Sequence, residues 1–305
     1  MPQEQLKEPL KEPPAMPLLA CDRPTRAYLA SFWRQEQRNT PARSHFDGLH
    51  APAASRFCRQ PARPYLRDRA RTDSEFSMTS ARIVVFDLDG TLVDTAPDLI
   101  NALNFVLDRE GLPPVPLQSA RNMIGAGARK LIERGLELEG RVAGVDDISR
   151  LTADFIDYYA AHIADASRPF DGLEDALDDL GARGYRLAVC TNKLEWLSKR
   201  LLDRLGLSGR FSAVCGADTF GVSKPDPAIL RQTVARAGGQ MVSAIMVGDA
   251  GPDIGVARRA GIPVIGVAFG YTDVPMVDLK PDRLVDHMRD LPAAVASLMP
   301  RHSSG

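Results

Sequence analysis

The sequence predicts an α/β fold: a doubly wound parallel sheet with a helical block inserted after its first strand. Three observations predict it. From residue 82 onward, short continuous apolar runs recur, and each ends in polar or charged residues. Runs of that length suit strands buried on both faces, as in a parallel sheet. Stretches of helical spacing separate them, and this alternation places helices on both faces of the sheet. One interval, between Asp94 and Pro169, breaks the rhythm and reads as helical throughout.

The elements follow in order. Ile83-Val84-Val85-Phe86 is the first strand. The interval then offers helices at Ala96–Glu110, Ala128–Leu138 and Ile148–Ala164, punctuated by Gly/Pro segments at 111–116 and 140–144. The chain returns through Pro169-Phe170-Asp171-Gly172. Beyond it, strands are expected at Leu187–Cys190, Ala213–Cys215, Ala244–Val247 and Val264–Val267. Helices are expected at Leu173–Arg183, Leu194–Leu205, Pro227–Ala237, Asp253–Ala260 and Leu291–Leu298. The domains read as 78–96 plus 171–305 for the sheet core and 97–170 for the helical insertion.

Residues 1–77 are set apart by composition. They hold 13 Lys+Arg and 9 Asp+Glu, a balance of +4 against −5 for the rest, and 10 of the 23 prolines. Such a segment cannot bury enough apolar surface to offset the entropy of ordering it. It reads as disordered, or as an extension outside the native protein, whose start would then be Met78. The acidic residues argue against a transit peptide.

Composition bounds the function classes. The 305 residues carry a net charge of −1 and only 6% aromatics, so neither nucleic acid nor a membrane surface is an expected partner. Cys21, Cys58, Cys190 and Cys215 are scattered, with no CxxC or Cys/His cluster. A zinc site and a disulfide framework are both disfavoured, and a reducing cytoplasmic setting is expected. No apolar run reaches the roughly 18 residues a membrane span needs.

The strongest chemical signal is Phe86-Asp87-Leu88-Asp89-Gly90-Thr91-Leu92-Val93-Asp94, which puts two carboxylates just past a strand. Ligands of open α/β sheets bind at that edge. Gly90 permits a sharp turn, and Thr91 is expected to hydrogen-bond locally. Three later segments fall where the sheet would bring them to the same edge: Thr191-Asn192, Ser223-Lys224-Pro225, and Gly248-Asp249 through Asp253. A hydroxyl, one lysine and the acids Asp87, Asp89, Asp249 and Asp253 would share one crevice. Four acids with one lysine repel unless a divalent cation sits among them, and oxygen ligands point to Mg²⁺.

These four segments, in this order, resemble the haloacid dehalogenase superfamily of phosphatases over about residues 82–298. The resemblance implies a Rossmann-like core with an inserted helical cap, and a small phosphomonoester as substrate. It implies that Asp87 is the nucleophile that becomes phosphorylated. Asp89 would be the general acid/base, a residue that carbon–halogen hydrolases of the superfamily lack. Thr191 and the backbone of Asn192 would bind phosphoryl oxygens, and Lys224 would neutralise Asp87 and the phosphate. Asp87, the backbone carbonyl of Asp89 and Asp249 would hold Mg²⁺, with Asp253 bridging through water or orienting Lys224. Asp94 receives no catalytic role and reads as a helix cap or hinge contact.

Within the insertion, Gly125-Ala126-Gly127 precedes a helix and is followed by Arg129-Lys130. Two readings stand: backbone N–H groups presented to an anion, or a tight turn before a helix. This segment resembles the cap of phosphoglycolate phosphatases, as do Asp94–Leu99, Cys190–Lys193 and Gly266–Tyr271. That resemblance implies 2-phosphoglycolate as substrate, with Arg129 or Lys130 meeting its carboxylate. The alternatives are a sugar phosphatase or phosphosugar mutase on the same core, and a phosphate-sensing binding module. His162, on an alanine-rich helix, reads as a surface or interface residue. Monomer and homodimer both stand.

Overall fold

A computed structural model describes residues 81–299. Strand β1 (Ala81–Phe86) leads through a tight loop into β2 (Val93–Asp94). Helices α1 (Ala96–Arg109), α2 (Leu117–Ala120), α3 (Ala128–Leu138) and α4 (Val145–Ala161) follow. Strand β3 (Arg168–Pro169) ends this excursion by pairing antiparallel with β2. The chain then alternates through α5 (Leu173–Ala182), β4 (Arg186–Cys190), α6 (Glu195–Arg204), β5 (Ala213–Cys215) and α7 (Pro227–Arg236). It ends with β6 (Gly239–Gly248), α8 (Gly251–Ala260), β7 (Val264–Val267), β8 (Arg283–Val285) and α9 (Leu291–Leu298).

The main sheet has six parallel strands in the order β5-β4-β1-β6-β7-β8. The first strand therefore lies inside, and the winding reverses on either side of it. A crevice opens at the C-terminal edge of such a reversal. This is the Rossmann-like sheet with a helical cap that the sequence predicts.

The continuous apolar runs supply both faces at once. Val84 and Phe86 face one core with Leu187, Val189, Ile245 and Val247. Ile83 and Val85 face the other with Ala188, Cys190, Ala244 and Met246. Helices α5, α6 and α9 cover the first face through Leu177, Leu201 and Val295. Helices α7 and α8 cover the second through Leu230, Val234 and Ile254. Ile100, Leu103, Ile132, Leu151 and Phe155 of the cap helices extend the first core without a break. Each fully buried side chain of this size contributes about 1.5–3 kcal/mol relative to exposure.

Several elements differ from the sequence-based expectation. Strand β6 begins at Gly239, five residues before the apolar run, because its first half alternates half-buried and exposed residues. Strand β8 is a short edge strand with only Val285 buried, too weak a pattern to read. The β2–β3 ribbon has two residues per strand, and α2 starts directly after Pro116 in the proline-rich segment. Helix α4 runs from Val145 to Ala161 rather than from Ile148 to Ala164. Among the described residues no helix is long and apolar enough to cross a membrane. The readings of residues 1–77, the Met78 start, Cys21 and Cys58 lie outside the described residues.

Candidate active site

Asp87 is the first residue past β1, and its backbone N–H still donates to Val247 O at 2.9 Å. The carboxylate is thereby fixed to the end of the central strands. The loop beyond closes on Leu88 O, which accepts from the amides of Leu92 and Val93 at 3.0 and 3.1 Å. Gly90 makes this turn at φ +85°, and a Cβ there would lie 2.3 Å from Asp249 Oδ2. Only glycine meets both demands. Thr91 does not bond locally, as the sequence suggested. Its Oγ1 donates to Asp249 Oδ1 at 2.9 Å, tying the first loop to one 158 residues later.

Lys224 sits among the buried acids. Its Nζ lies 2.8 Å from Asp87 Oδ1 and 2.6 Å from Asp253 Oδ1. The other oxygen of Asp253 accepts from the amides of Asp249 and Ala250 at 3.2 and 3.1 Å. Asp249 Oδ2 accepts from the Tyr271 amide at 2.7 Å. Burial pushes the Asp87 carboxyl up to about 6, against the pull of Lys224. Burial, then Asp253 and Asp87, push Asp249 well above the usual carboxylate range. Burial works against the charge on Lys224, but Asp253 and Asp87 outweigh it and raise its pKa.

Negative charge is therefore in excess here, and the donor set fits a hard divalent cation. Carboxylate oxygens of Asp87, Asp249 and Asp253 lie within 4.8 Å of one another. Asp87 Oδ1 is buried and near the ammonium, yet has no aligned hydrogen bond. An all-oxygen cluster with an unsatisfied lone pair suits Mg²⁺ better than a metal that prefers nitrogen or sulfur.

Asp89 has a cation of its own. Lys193 Nζ lies 2.8 and 3.0 Å from its two carboxylate oxygens, and Thr95 Oγ1 donates to it at 2.8 Å. The expectation of one lysine among four acids is thus corrected: two buried lysines share the crevice. Burial opposes the charge on Lys193, but Asp89 and Tyr159 outweigh it, so its pKa is raised. The ammonium also lies 4.5 Å from the ring centroid of Tyr159 on α4. Lys193 and Tyr159 are the residues sequence reasoning missed. The one signal was that Lys193 directly follows Thr191-Asn192, where a lysine past a strand reads as solvated.

The remaining candidates converge on the same place. Thr191 is buried past β4, and its amide donates to Cys215 O at 3.0 Å. Asn192 links three loops. Its Oδ1 accepts from the Lys224 amide at 2.8 Å, while its Nδ2 donates at 3.3 Å to Lys224 O and to Gly125 O of the cap. Gly125 and Gly127 both have positive φ, at +105° and +87°, and Gly127 opens α3. A cavity of about 390 Å³ lies between cap and sheet edge. Asp87, Asp89, Thr191, Asn192 and Lys224 line its floor, and Gly125, Gly127, Arg129 and Lys130 line the cap side. Arg129 and Lys130 each pair with Glu133, at 2.9 and 3.2 Å.

Two side readings also find their places. Asp94 accepts from the Tyr271 hydroxyl and pairs with Arg121 at 2.9 Å, a contact between core and cap. His162 pairs with Asp165 at 2.7 Å on the exposed end of α4.

Comparison with known proteins gives the same picture. The model of the haloacid dehalogenase-like hydrolase family matches residues 84–267. A protein of Caulobacter vibrioides named phosphoglycolate phosphatase is 46% identical over 216 residues, covering 71% of this chain and 91% of that protein. One of Agrobacterium fabrum with the same name is 45% identical over 213 residues, covering 70% and 91%. The crystal structure of a predicted phosphoglycolate phosphatase from Haemophilus somnus superposes with a TM-score of 0.66 at 31% identity, covering 71% of this chain and 99% of that one.

Proposed function

The chain belongs to the haloacid dehalogenase-like hydrolases, and from that premise we propose that it hydrolyses 2-phosphoglycolate to glycolate and phosphate. The observation that carries this reading is the pairing of Asp87 with Lys224 at 2.8 Å on the cavity floor, beside an Asp89 held by a separate lysine. One carboxylate is left to attack while the other is held apart to manage a proton.

In the first step Asp87 attacks phosphorus in line with the ester oxygen. An Asp87–phosphorus bond forms and the phosphorus–ester bond breaks, with Asp89 giving the departing glycolate oxygen its proton. In the second step Asp89 takes a proton from water, which attacks phosphorus. Phosphate leaves and the Asp87 carboxylate is restored. The Thr191 hydroxyl and the backbone N–H of Asn192 hold phosphoryl oxygens throughout. Lys224, braced by Asp253 at 2.6 Å, balances the charge on Asp87 and the phosphoryl group.

Asp87, Asp249 and the backbone carbonyl of Asp89 would hold Mg²⁺, which when bound would neutralise carboxylate and phosphoryl charge. The cap, 97–170, closes over the cavity and excludes water, and the core, 78–96 with 171–305, carries the chemistry. The free thiols of Cys190 and Cys215, neighbours across β4 and β5, support a cytoplasmic setting.

The test is a panel of phosphomonoesters with kcat/KM measured for each in Mg²⁺. 2-Phosphoglycolate is expected to exceed hexose and pentose phosphates. A preference for a phosphosugar would overturn the substrate and leave the chemistry standing. Turnover by Asp87→Asn would overturn the nucleophile.

A further inference from the structure

Tyr159 poses a question the phosphate chemistry does not answer. It is 1% exposed, projects from cap helix α4 and lines the cavity, yet its hydroxyl has no hydrogen-bond partner. Burying a hydroxyl without a partner costs about 1–3 kcal/mol. Its charged neighbour is Lys193, whose ammonium is a donor and cannot accept the phenolic proton. Lys193 itself has three N–H donors facing the two oxygens of Asp89. The phenolic O–H therefore meets no acceptor, in a cavity that Leu99, Phe155 and Ile156 also line.

The other cavity cations are committed. Lys224 is held by Asp87 and Asp253, and Arg129 and Lys130 by Glu133. Substrate geometry points the same way. In 2-phosphoglycolate one methylene separates the ester oxygen from the carboxyl carbon, so the carboxylate oxygens lie within about 4 Å of the ester oxygen. The proton donor to that ester oxygen must stand about 3 Å from it. A carboxylate placed there falls next to Asp89, and once Asp89 has given up its proton the two like charges need a cation between them. Lys193, 2.8 Å from Asp89, is that cation.

We propose that Tyr159 and Lys193 form the carboxylate subsite: the Tyr159 hydroxyl and the remaining Lys193 N–H donate to the substrate carboxylate, and Arg129 and Lys130 do not. This rests on 2-phosphoglycolate being the substrate and names the residues that select it. Because Tyr159 belongs to the cap and Lys193 to the core, a carboxylate bound there touches both.

The test compares 2-phosphoglycolate with 2-hydroxyethyl phosphate, which replaces the carboxylate with a neutral alcohol, in wild type and Tyr159→Phe. The readout is the ratio of the two kcat/KM values, which does not depend on the fraction of protein correctly folded. Wild type is expected to favour 2-phosphoglycolate. Tyr159→Phe is expected to lower that ratio about ten- to a hundredfold, chiefly through the KM for 2-phosphoglycolate. A wild-type ratio near one overturns the substrate and this subsite together. A high wild-type ratio that survives Tyr159→Phe, or that collapses in Arg129→Gln instead, overturns the subsite alone.

Discussion

Replacing Asp87 with Asn is expected to destroy turnover and, without Mg²⁺, to make the protein more stable. Burial raises the carboxyl from the ordinary 3.8 to about 6, and Lys224 only partly counters it. Each pKa unit corresponds to 1.36 kcal/mol, so ionising Asp87 at neutral pH costs the metal-free fold about 3 kcal/mol. The sign follows from proton counting. Between pH 3.8 and about 6 the folded state binds more protons at Asp87 than the unfolded chain does. This contribution to stability is present below that window and lost as pH rises through it. Asn cannot ionise and escapes the loss. Urea unfolding in chelator at pH 5 to 8 should therefore show Asp87→Asn more stable than wild type by about 3 kcal/mol at pH 7, with the gap narrowing toward the acid end. Saturating Mg²⁺ should shrink the gap by giving the wild-type carboxylate a counter-charge. Equal or lower stability of the variant at pH 7, or a gap that ignores pH, would refute the reasoning.

Other substitutions probe separate links. Gly90→Ala forces a side chain into a φ of +85° and toward Asp249 Oδ2; thermal unfolding should show a loss above about 1 kcal/mol, with turnover lost too. Lys224→Met strands Asp87 and Asp253 without their ammonium. Denaturant titration at pH 7 without metal should register a loss of about 3–5 kcal/mol, easing as pH falls and Asp87 is protonated. Asp89→Asn removes the proton donor; rates on 2-phosphoglycolate should fall about a hundred- to ten-thousandfold. Chelation should stop hydrolysis, and added Mg²⁺ should restore it; full activity in chelator would remove the metal from the account.

Much of the floor of the site could be read from sequence because it obeys local rules. Asp87, Thr191 and Asp249 each follow an apolar run, and a parallel sheet brings the ends of such runs to one edge. Local rules stop where contacts are distant. Nothing near Lys193 in the chain signals that it pairs with Asp89, 104 residues away, or lies over Tyr159. Thr91 has local backbone partners within reach, yet bonds to Asp249 because folding sets the two loops side by side. Arg129 and Lys130 looked available because a single turn of helix hides no partner in the text. Glu133, one turn on, takes both. Strand β8 and the β2–β3 ribbon were illegible because two or three residues carry no period.

The position of β1 has a consequence for synthesis. It is the earliest strand of the sheet to leave the ribosome, but its neighbours on either side are β4, from Arg186, and β6, from Gly239. At translation speeds of about 5–20 residues per second, the Ile83–Phe86 run waits roughly 5 to 20 seconds for its first partner and longer for its second. Throughout that delay a sticky, unpaired edge is available to other nascent chains. Aggregation during overproduction should therefore track elongation rate and chaperone supply more closely than the stability of the finished enzyme.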